Sequence, residues 1–311
     1  MYYMACLAVA AGSHCVPPSL SSRMTVCPTS EASLSHLGIA GAWRGDGAEP
    51  SSFVEGPKGA CPYSLFRAGE SQEMVRPRLV LFGDSITEQS FRPGGWGAAL
   101  ADTYSRKADV VVRGYGGYNT KWALFLLQQI FPLVGIAPPL ATTVFFGAND
   151  AALLGRTSER QHVPVAEYKE NLKKICNHLK DCSKSMVIVL ITPPPVDEDG
   201  RERYARSLYG EEARKLPERT NEMAGLYAGQ CIELAREMNI YCIDIWSKMQ
   251  ETEGWQKLYL SDGLHLTPEG NAVVHKEVVR TLRDEGLKAE DMPYDFPHHS
   301  RIDGRCPEKA F

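Results

Sequence analysis

The chain has 311 residues, 43% of them hydrophobic, and a formal net charge of -4. That length and balance suit a soluble globular fold of one large or two small domains. Lys and Arg are scattered without a basic surplus, which argues against a nucleic-acid partner, and no apolar run approaches the roughly 20 residues of a membrane helix, so no membrane span is expected.

Residues 1–73 are rich in Ser, Ala, Gly and Pro, show no period of 2 or 3.6, and hold no acid before Glu31 and only Arg23 as a strong base before it. They read as a disordered or dispensable extension, with Met74 as an alternative functional start. A secretory leader would need a basic region ahead of its apolar stretch, and a plastid-type transit segment would need more Arg. The cytoplasm is therefore the favoured compartment, with an organelle address in the extension left open.

From Met74 short apolar runs alternate with amphipathic stretches. Strands are predicted at Leu79–Phe82, Val110–Val112, Thr143–Phe146, Met186–Ile191 and Tyr241–Ile245, nearly unbroken in hydrophobicity as strands covered on both faces are. Helices are predicted around Trp96–Tyr104, Thr120–Phe131, Val165–Cys182, Pro217–Met238 and Pro268–Arg283, the last capped by Thr267 with Pro268 in its first turn. Regular alternation of this kind implies an α/β domain, a three-layer α/β/α arrangement around a parallel sheet, spanning 74–290. Residues 291–311 read as an irregular tail. Its adjacent His298 and His299 are expected to diverge, and no metal or other cofactor is expected.

In a parallel α/β sheet the loops leaving the carboxyl ends of the strands share one edge and form the ligand crevice. Four blocks belong there: "GDS" after the first strand, "RGYGGYNT" after the second, "GAND" after the third and "SDGLHLTPEG" ahead of the last helix. Ser85 is the candidate nucleophile, held clear of the sheet at a strand-to-helix turn. A serine hydroxyl needs a base, and His265 is the best-placed imidazole; Asp262, three residues earlier, can accept its Nδ1 hydrogen. An oxyanion needs two or three convergent donors, which the Ser85 and Gly117 backbone N–H groups and the Asn149 side chain can supply. Asp84 is read as turn support rather than as a proton carrier.

These four blocks together resemble the SGNH superfamily of GDSL-type serine esterases and lipases, over about Met74 to Arg283. The resemblance assigns the nucleophile to Ser85, the oxyanion hole to Ser85, Gly117 and Asn149, and the acid and base to Asp262 and His265. Ile86 stands where the family name has leucine. "SFRPGGWGAAL", "YGGYNTKWAL" and "SDGLHLTPEGN" look closest to the isoamyl acetate-hydrolysing esterase-like branch. That implies a flavodoxin-like sheet of about five strands, a small-molecule ester substrate with a short acyl chain, and no metal.

Phe91, Trp96, Tyr118, Trp122 and Leu154 are candidate acyl-pocket residues that the sequence does not sort from the core; were Trp96 and Tyr118 to cap a shallow pocket, acetyl and butyryl esters would outpace long-chain ones, and residues 192–218 are long enough to form a flap. Two other functions stay in view: a carbohydrate O-acetylesterase using the same groups, and a non-catalytic nucleotide-binding or structural homologue of the fold, which lacks support from any GxxxxGK[ST] element. The nine cysteines, without a CxxC pair, are expected to be reduced thiols, Cys176, Cys182, Cys231 and Cys242 acting as small apolar residues.

Overall fold

A computed structural model of the chain describes residues 76–210 and 217–311. The expected N-terminal extension lies outside the described residues. Five strands, β1 (Arg78–Gly83), β2 (Asp109–Gly114), β3 (Ala141–Phe145), β4 (Val187–Ile191) and β5 (Tyr241–Ile243), pair in parallel in the order β2-β1-β3-β4-β5. This is the flavodoxin-like order, with β1 at its centre. All five strands fall on the predicted apolar runs, β5 stopping at Ile243 because Asp244 caps the following helix. β2 differs from its expectation: it is an edge strand, so Asp109 and Arg113 are exposed and Val110 to Val112 are only half-buried.

Alternate residues of each strand feed two separate cores, as a period of 2 demands. Leu79, Leu81, Phe145, Val189 and Ile191 face one layer, made by α2 (Trp96–Thr103), α8 (Ile245–Gln250) and α10 (Pro268–Asp284). Val80, Phe82, Val144, Ile188 and Leu190 face the other, made by α3 (Thr120–Ala123), α4 (Leu127–Ile130), α5 (Val165–Cys182) and α7 (Asn221–Met238). The three-layer arrangement follows from sequence, since strands apolar on both faces must be covered twice. Phe82 alone meets Tyr115, Phe131 and Phe146 edge-on at 4.9–6.4 Å, a cluster that anchors the end of β1 just ahead of Ser85.

Several boundaries depart from the sequence reading. The helix expected over Thr120–Phe131 is broken by a 3-10 turn at Leu124–Leu126. The helix expected from Pro217 starts at Asn221, because the Thr220 hydroxyl accepts the Met223 N–H and ends the extended segment there. Within the expected flap lies α6 (Glu198–Tyr209); the short α1 (Ser85–Glu88) and α9 (Trp255–Tyr259) complete the helices of the described residues. No described helix is long and apolar enough to cross a membrane.

In the tail, Asp295 binds the Arg76 and Arg106 guanidinium groups, and Arg106 and Lys107 lie over the Tyr294 ring. The rings of His298 and His299 do not diverge: they lie 4.2 Å apart, because His298 caps the 3-10 turn His299–Arg301 and folds back to bond Ser300. Among the described residues no cluster of His, Cys, Asp and Glu has the makings of a metal site. The five described cysteines are free, and the Sγ atoms of Cys231 and Cys242 lie 3.9 Å apart.

Candidate active site

Ser85 opens α1, two residues past the end of β1, with Asp84 between them. Asp84 is wholly buried, and its Oδ1 accepts the Ile86 N–H at 3.0 Å, which fixes the turn that presents the serine. Its backbone N–H donates to the Phe145 carbonyl at the end of β3, tying the turn to the sheet. Burial pushes the Asp84 carboxyl up to about 7, the backbone N–H of Ile86 and the charges of His265 and Arg219 only partly offsetting it.

His265 comes from the loop before α10. Its Nε2 lies 2.9 Å from Ser85 Oγ, and its Nδ1 lies 2.8 Å from Asp262 Oδ2. A carboxylate only accepts, so Nδ1 carries the hydrogen and Nε2 is left to accept from the serine hydroxyl. Asp262 Oδ1 accepts the backbone N–H groups of Leu264 at 3.0 Å and His265 at 2.7 Å, so the short loop folds around its own carboxylate. Burial of Asp262 favours its neutral form, but the His265 hydrogen bond and charge, that backbone bond and Arg201 outweigh it and hold the carboxyl well below the usual range.

Arg201 of α6 reaches the same loop: its Nη1 donates to Asp262 Oδ2 at 3.0 Å. Close packing makes this reach possible. A Cβ on Gly263, whose φ is +82°, would collide with the Asp197 carbonyl and the Arg201 N–H, so α6 and the loop touch through glycine.

Gly117 and Asn149 follow β2 and β3, the two strands that flank β1. The register pairs Gly83 with Gly114 on one side and with Phe145 on the other, so the loops carrying Gly117 and Asn149 leave the sheet on either side of the Ser85 turn. Gly117 has φ +78°, a left-handed conformation that favours glycine. The peptide units around its N–H are pinned on both sides. Glu88 accepts the Gly116 N–H at 2.5 Å, and Gln161 Nε2 donates to the Gly117 carbonyl at 3.0 Å. Asn149 is buried; its Nδ2 donates to the Tyr118 carbonyl at 2.9 Å and its Oδ1 accepts from Arg219 Nη2 at 3.1 Å. The amide has two N–H donors, so one is left for a ligand.

The structure thus places Ser85, His265 and Asp262 in one hydrogen-bonded row and hangs Gly117 and Asn149 from adjoining strands. Other groups at this site escaped the sequence reading: Arg201, Glu218, Arg219 and Gln161. Charged residues read as solvated surface, and nothing in their spacing announces a buried pair. Asp150, beside Asn149, is also wholly buried and accepts the N–H of Thr120 at 3.0 Å as well as its hydroxyl. Burial pushes its carboxyl up to about 7, against the opposing Thr120 bonds and with the charge of Asp84 adding to the rise.

Of the pocket candidates, Trp96 is a correction. It is fully buried in the core beneath α1, its indole N–H donating to the Ile86 carbonyl at 3.4 Å, so it supports the serine turn from below and cannot cap a pocket. Tyr118 and Trp122 are half-buried and meet edge-on at 5.8 Å, with Arg160 above the indole; Phe91 and Leu154 are exposed. A cavity of about 370 Å³ is lined by the Asp262 loop together with Asp197, Arg203, Tyr204 and Lys257.

A parallel sheet in this order, with a hydroxyl, an imidazole and a carboxylate in one row at its carboxyl edge, has the architecture of the SGNH hydrolases. Residues 79–278 match the family described as GDSL-like Lipase/Acylhydrolase, and the chain belongs to it: it is a carboxylic ester hydrolase. It is 69% identical over 237 residues to a GDSL esterase/lipase of Arabidopsis thaliana, covering 76% of this chain and 98% of that one. It is 43% identical over 244 residues to the isoamyl acetate-hydrolyzing esterase 1 homolog of Homo sapiens, covering 78% and 94%. Among solved structures, the lipase/acylhydrolase from Enterococcus faecalis superposes with a TM-score of 0.51 at 25% identity, over 67% of this chain and 96% of that one. The family sets aside the non-catalytic alternative.

Proposed function

We propose that the chain hydrolyses short-chain, acetyl-type carboxylic esters through a covalent acyl-serine formed on Ser85. The observation that carries this reading is the row Ser85 Oγ, His265 and Asp262, with successive contacts of 2.9 and 2.8 Å. In the first step Oγ attacks the ester carbonyl carbon while its proton passes to His265 Nε2. The resulting oxyanion takes hydrogen bonds from the Ser85 and Gly117 N–H groups and the free Asn149 N–H. Collapse breaks the bond to the leaving alkoxy oxygen, which receives the proton from Nε2 and departs as alcohol. Water then repeats the sequence on the acyl-enzyme, its proton going to Nε2 and back to Oγ as carboxylic acid leaves. Asp262 holds the imidazole and balances its transient charge. The likeness to an isoamyl acetate-hydrolyzing esterase homolog supports a small alkyl ester as substrate.

The test is covalent labelling by a fluorophosphonate probe beside a chain-length panel of p-nitrophenyl esters. Labelling of the wild type and its loss in Ser85→Ala is the expected result, with acetyl and butyryl esters turned over well ahead of decanoyl. Labelling that survives Ser85→Ala overturns the acyl-serine, and equal rates on decanoyl esters overturn the short-chain preference. Faster release of acetate from acetylated xylan than from alkyl acetates would reassign the substrate to carbohydrate.

A further inference from the structure

We propose that Arg219 is the positioning residue of the oxyanion hole, one guanidinium that sets both Asn149 and Gly117. This rests on the acyl-serine reading above. Arg219 lies just ahead of the Thr220 cap of α7 and is 3% exposed, an uncommon place for a cation. Taking a charge out of water is costly unless its donors find partners, and here each guanidinium nitrogen meets an oxygen. Nε donates to the Ala148 carbonyl at 2.8 Å, Nη2 to Asn149 Oδ1 at 3.1 Å and to Gln161 Oε1 at 2.6 Å, and Nη1 pairs with Glu218 at 2.7 Å.

Three consequences follow for the oxyanion donors. First, the Asn149 amide has one orientation: a guanidinium only donates and the Tyr118 carbonyl only accepts, so Oδ1 must face Arg219 and Nδ2 must face Tyr118. Without Arg219 only the Tyr118 carbonyl opposes a flip of the amide, and the flipped form presents oxygen to the oxyanion, a repulsive contact. Second, the charge-assisted bond on Oδ1 polarises the amide and strengthens its remaining N–H as a donor. Third, Gln161 relays the hold, accepting from Arg219 through Oε1 while its Nε2 fixes the Gly117 carbonyl. A lysine ammonium would keep the charge but not the planar fork that meets these acceptors together.

Ion pairs extend the network to the other half of the site. Glu218 also pairs with Arg201, which binds Asp262, so Asn149, Arg219, Glu218, Arg201, Asp262 and His265 are joined contact by contact. Glu218 keeps Arg201 and the Ser158 hydroxyl when Arg219 is removed, so truncating Arg219 does not strand it.

The experiment measures kcat and KM on p-nitrophenyl acetate, with a thermal melt of each protein, for wild type, Arg219→Met, Arg219→Lys, Asn149→Ala and the Asn149→Ala/Arg219→Met double variant. Arg219→Met is expected to lower kcat about 100-fold with KM within about threefold, as for loss of an oxyanion donor. In the Asn149→Ala background the same change is expected to cost less than about threefold, because the group through which it acts is gone. Arg219→Lys should recover about a tenth of wild-type kcat. Should Arg219→Met not fold, Gln161→Leu leaves the ion pairs intact and is expected to lower kcat about fivefold, the scale of one neutral hydrogen bond. A folded Arg219→Met with kcat within threefold of wild type, losses that simply multiply in the double variant, or a silent Gln161→Leu overturns the proposal. Unchanged kcat in Asn149→Ala would overturn this inference alone, whereas fluorophosphonate labelling that survives Ser85→Ala would sink the acyl-serine reading and this inference with it.

Discussion

The two sides of Ser85 are built on opposite plans. On one side, His265 and Asp262 stand three residues apart on one loop, and the carboxylate binds the backbone of its own turn. On the other, Gly117 and Asn149 hang from separate strands and are held by residues far along the chain: Arg219 lies 70 positions from Asn149, and Gln161 lies 44 from Gly117. His265 is half-buried, whereas Asn149 and Arg219 are buried. Proton transfer needs a group that meets solvent and leaving group in turn, and a local loop suffices to aim it. Donors for a developing charge gain by being dry and immobile, which calls for support from several elements at once.

The largest effect should come from unbalancing the local side. Asp262→Asn is expected to cut kcat by about 10⁴-fold, because an amide can donate toward Nδ1 and select the wrong imidazole tautomer. Arg201 would then face a neutral side chain, so a melt must accompany the kinetics; a loss below tenfold would show that the loop backbone alone aims the imidazole. On the buried side, Asn149→Ala should lower kcat by about 10²–10³-fold with little change in KM, steady-state kinetics being the readout. An equal rise in KM would mean that Asn149 binds ground state and transition state alike.

Beneath the buried side, the carboxyls of Asp84 and Asp150 supply a pH signature. Both are raised from an ordinary 3.8 to about 7. Between those values the unfolded chain has lost protons that the folded chain still holds, so their contribution to stability is present below about pH 4 and lost as pH rises toward 7. Asp262 has the opposite sign: its stabilisation is present above 3.8 and lost as pH falls below it. Denaturant melts of Asp150→Asn over pH 4–7 should show a shallower fall than wild type, the difference staying below about 4 kcal/mol. Parallel curves would place its titration elsewhere. The smallest change is expected from Glu88→Gln, which weakens one exposed bond to the Gly116 N–H and should reduce kcat only a few-fold, a charge-assisted bond exchanged for a neutral one.

The same contrast explains what could be read in advance. Ser85, His265 and Asp262 sit in short blocks whose chemistry is visible in a few letters, and the three central strands are plain because they are apolar on both faces. Arg219 and Glu218 are neighbours in sequence, yet their partners at 149, 161 and 201 come together only once the sheet has formed. Helix α6 was hidden for another reason: among its residues only Gly200 is buried, so it has no apolar stripe to show. Trp96 misled through proximity. It stands eleven residues past Ser85, but the turn directs it under the sheet edge instead of over it.

The carboxylate of Asp262 accepts four hydrogen bonds: two backbone N–H groups on Oδ1, and His265 and Arg201 on Oδ2. Four is about all its lone pairs can take. On the acyl-serine reading, no berth remains there for a travelling proton. The traffic of each half-reaction is then a single proton that boards the imidazole at one nitrogen and leaves by the same nitrogen, with the acid as a fixed stop that nothing gets off at.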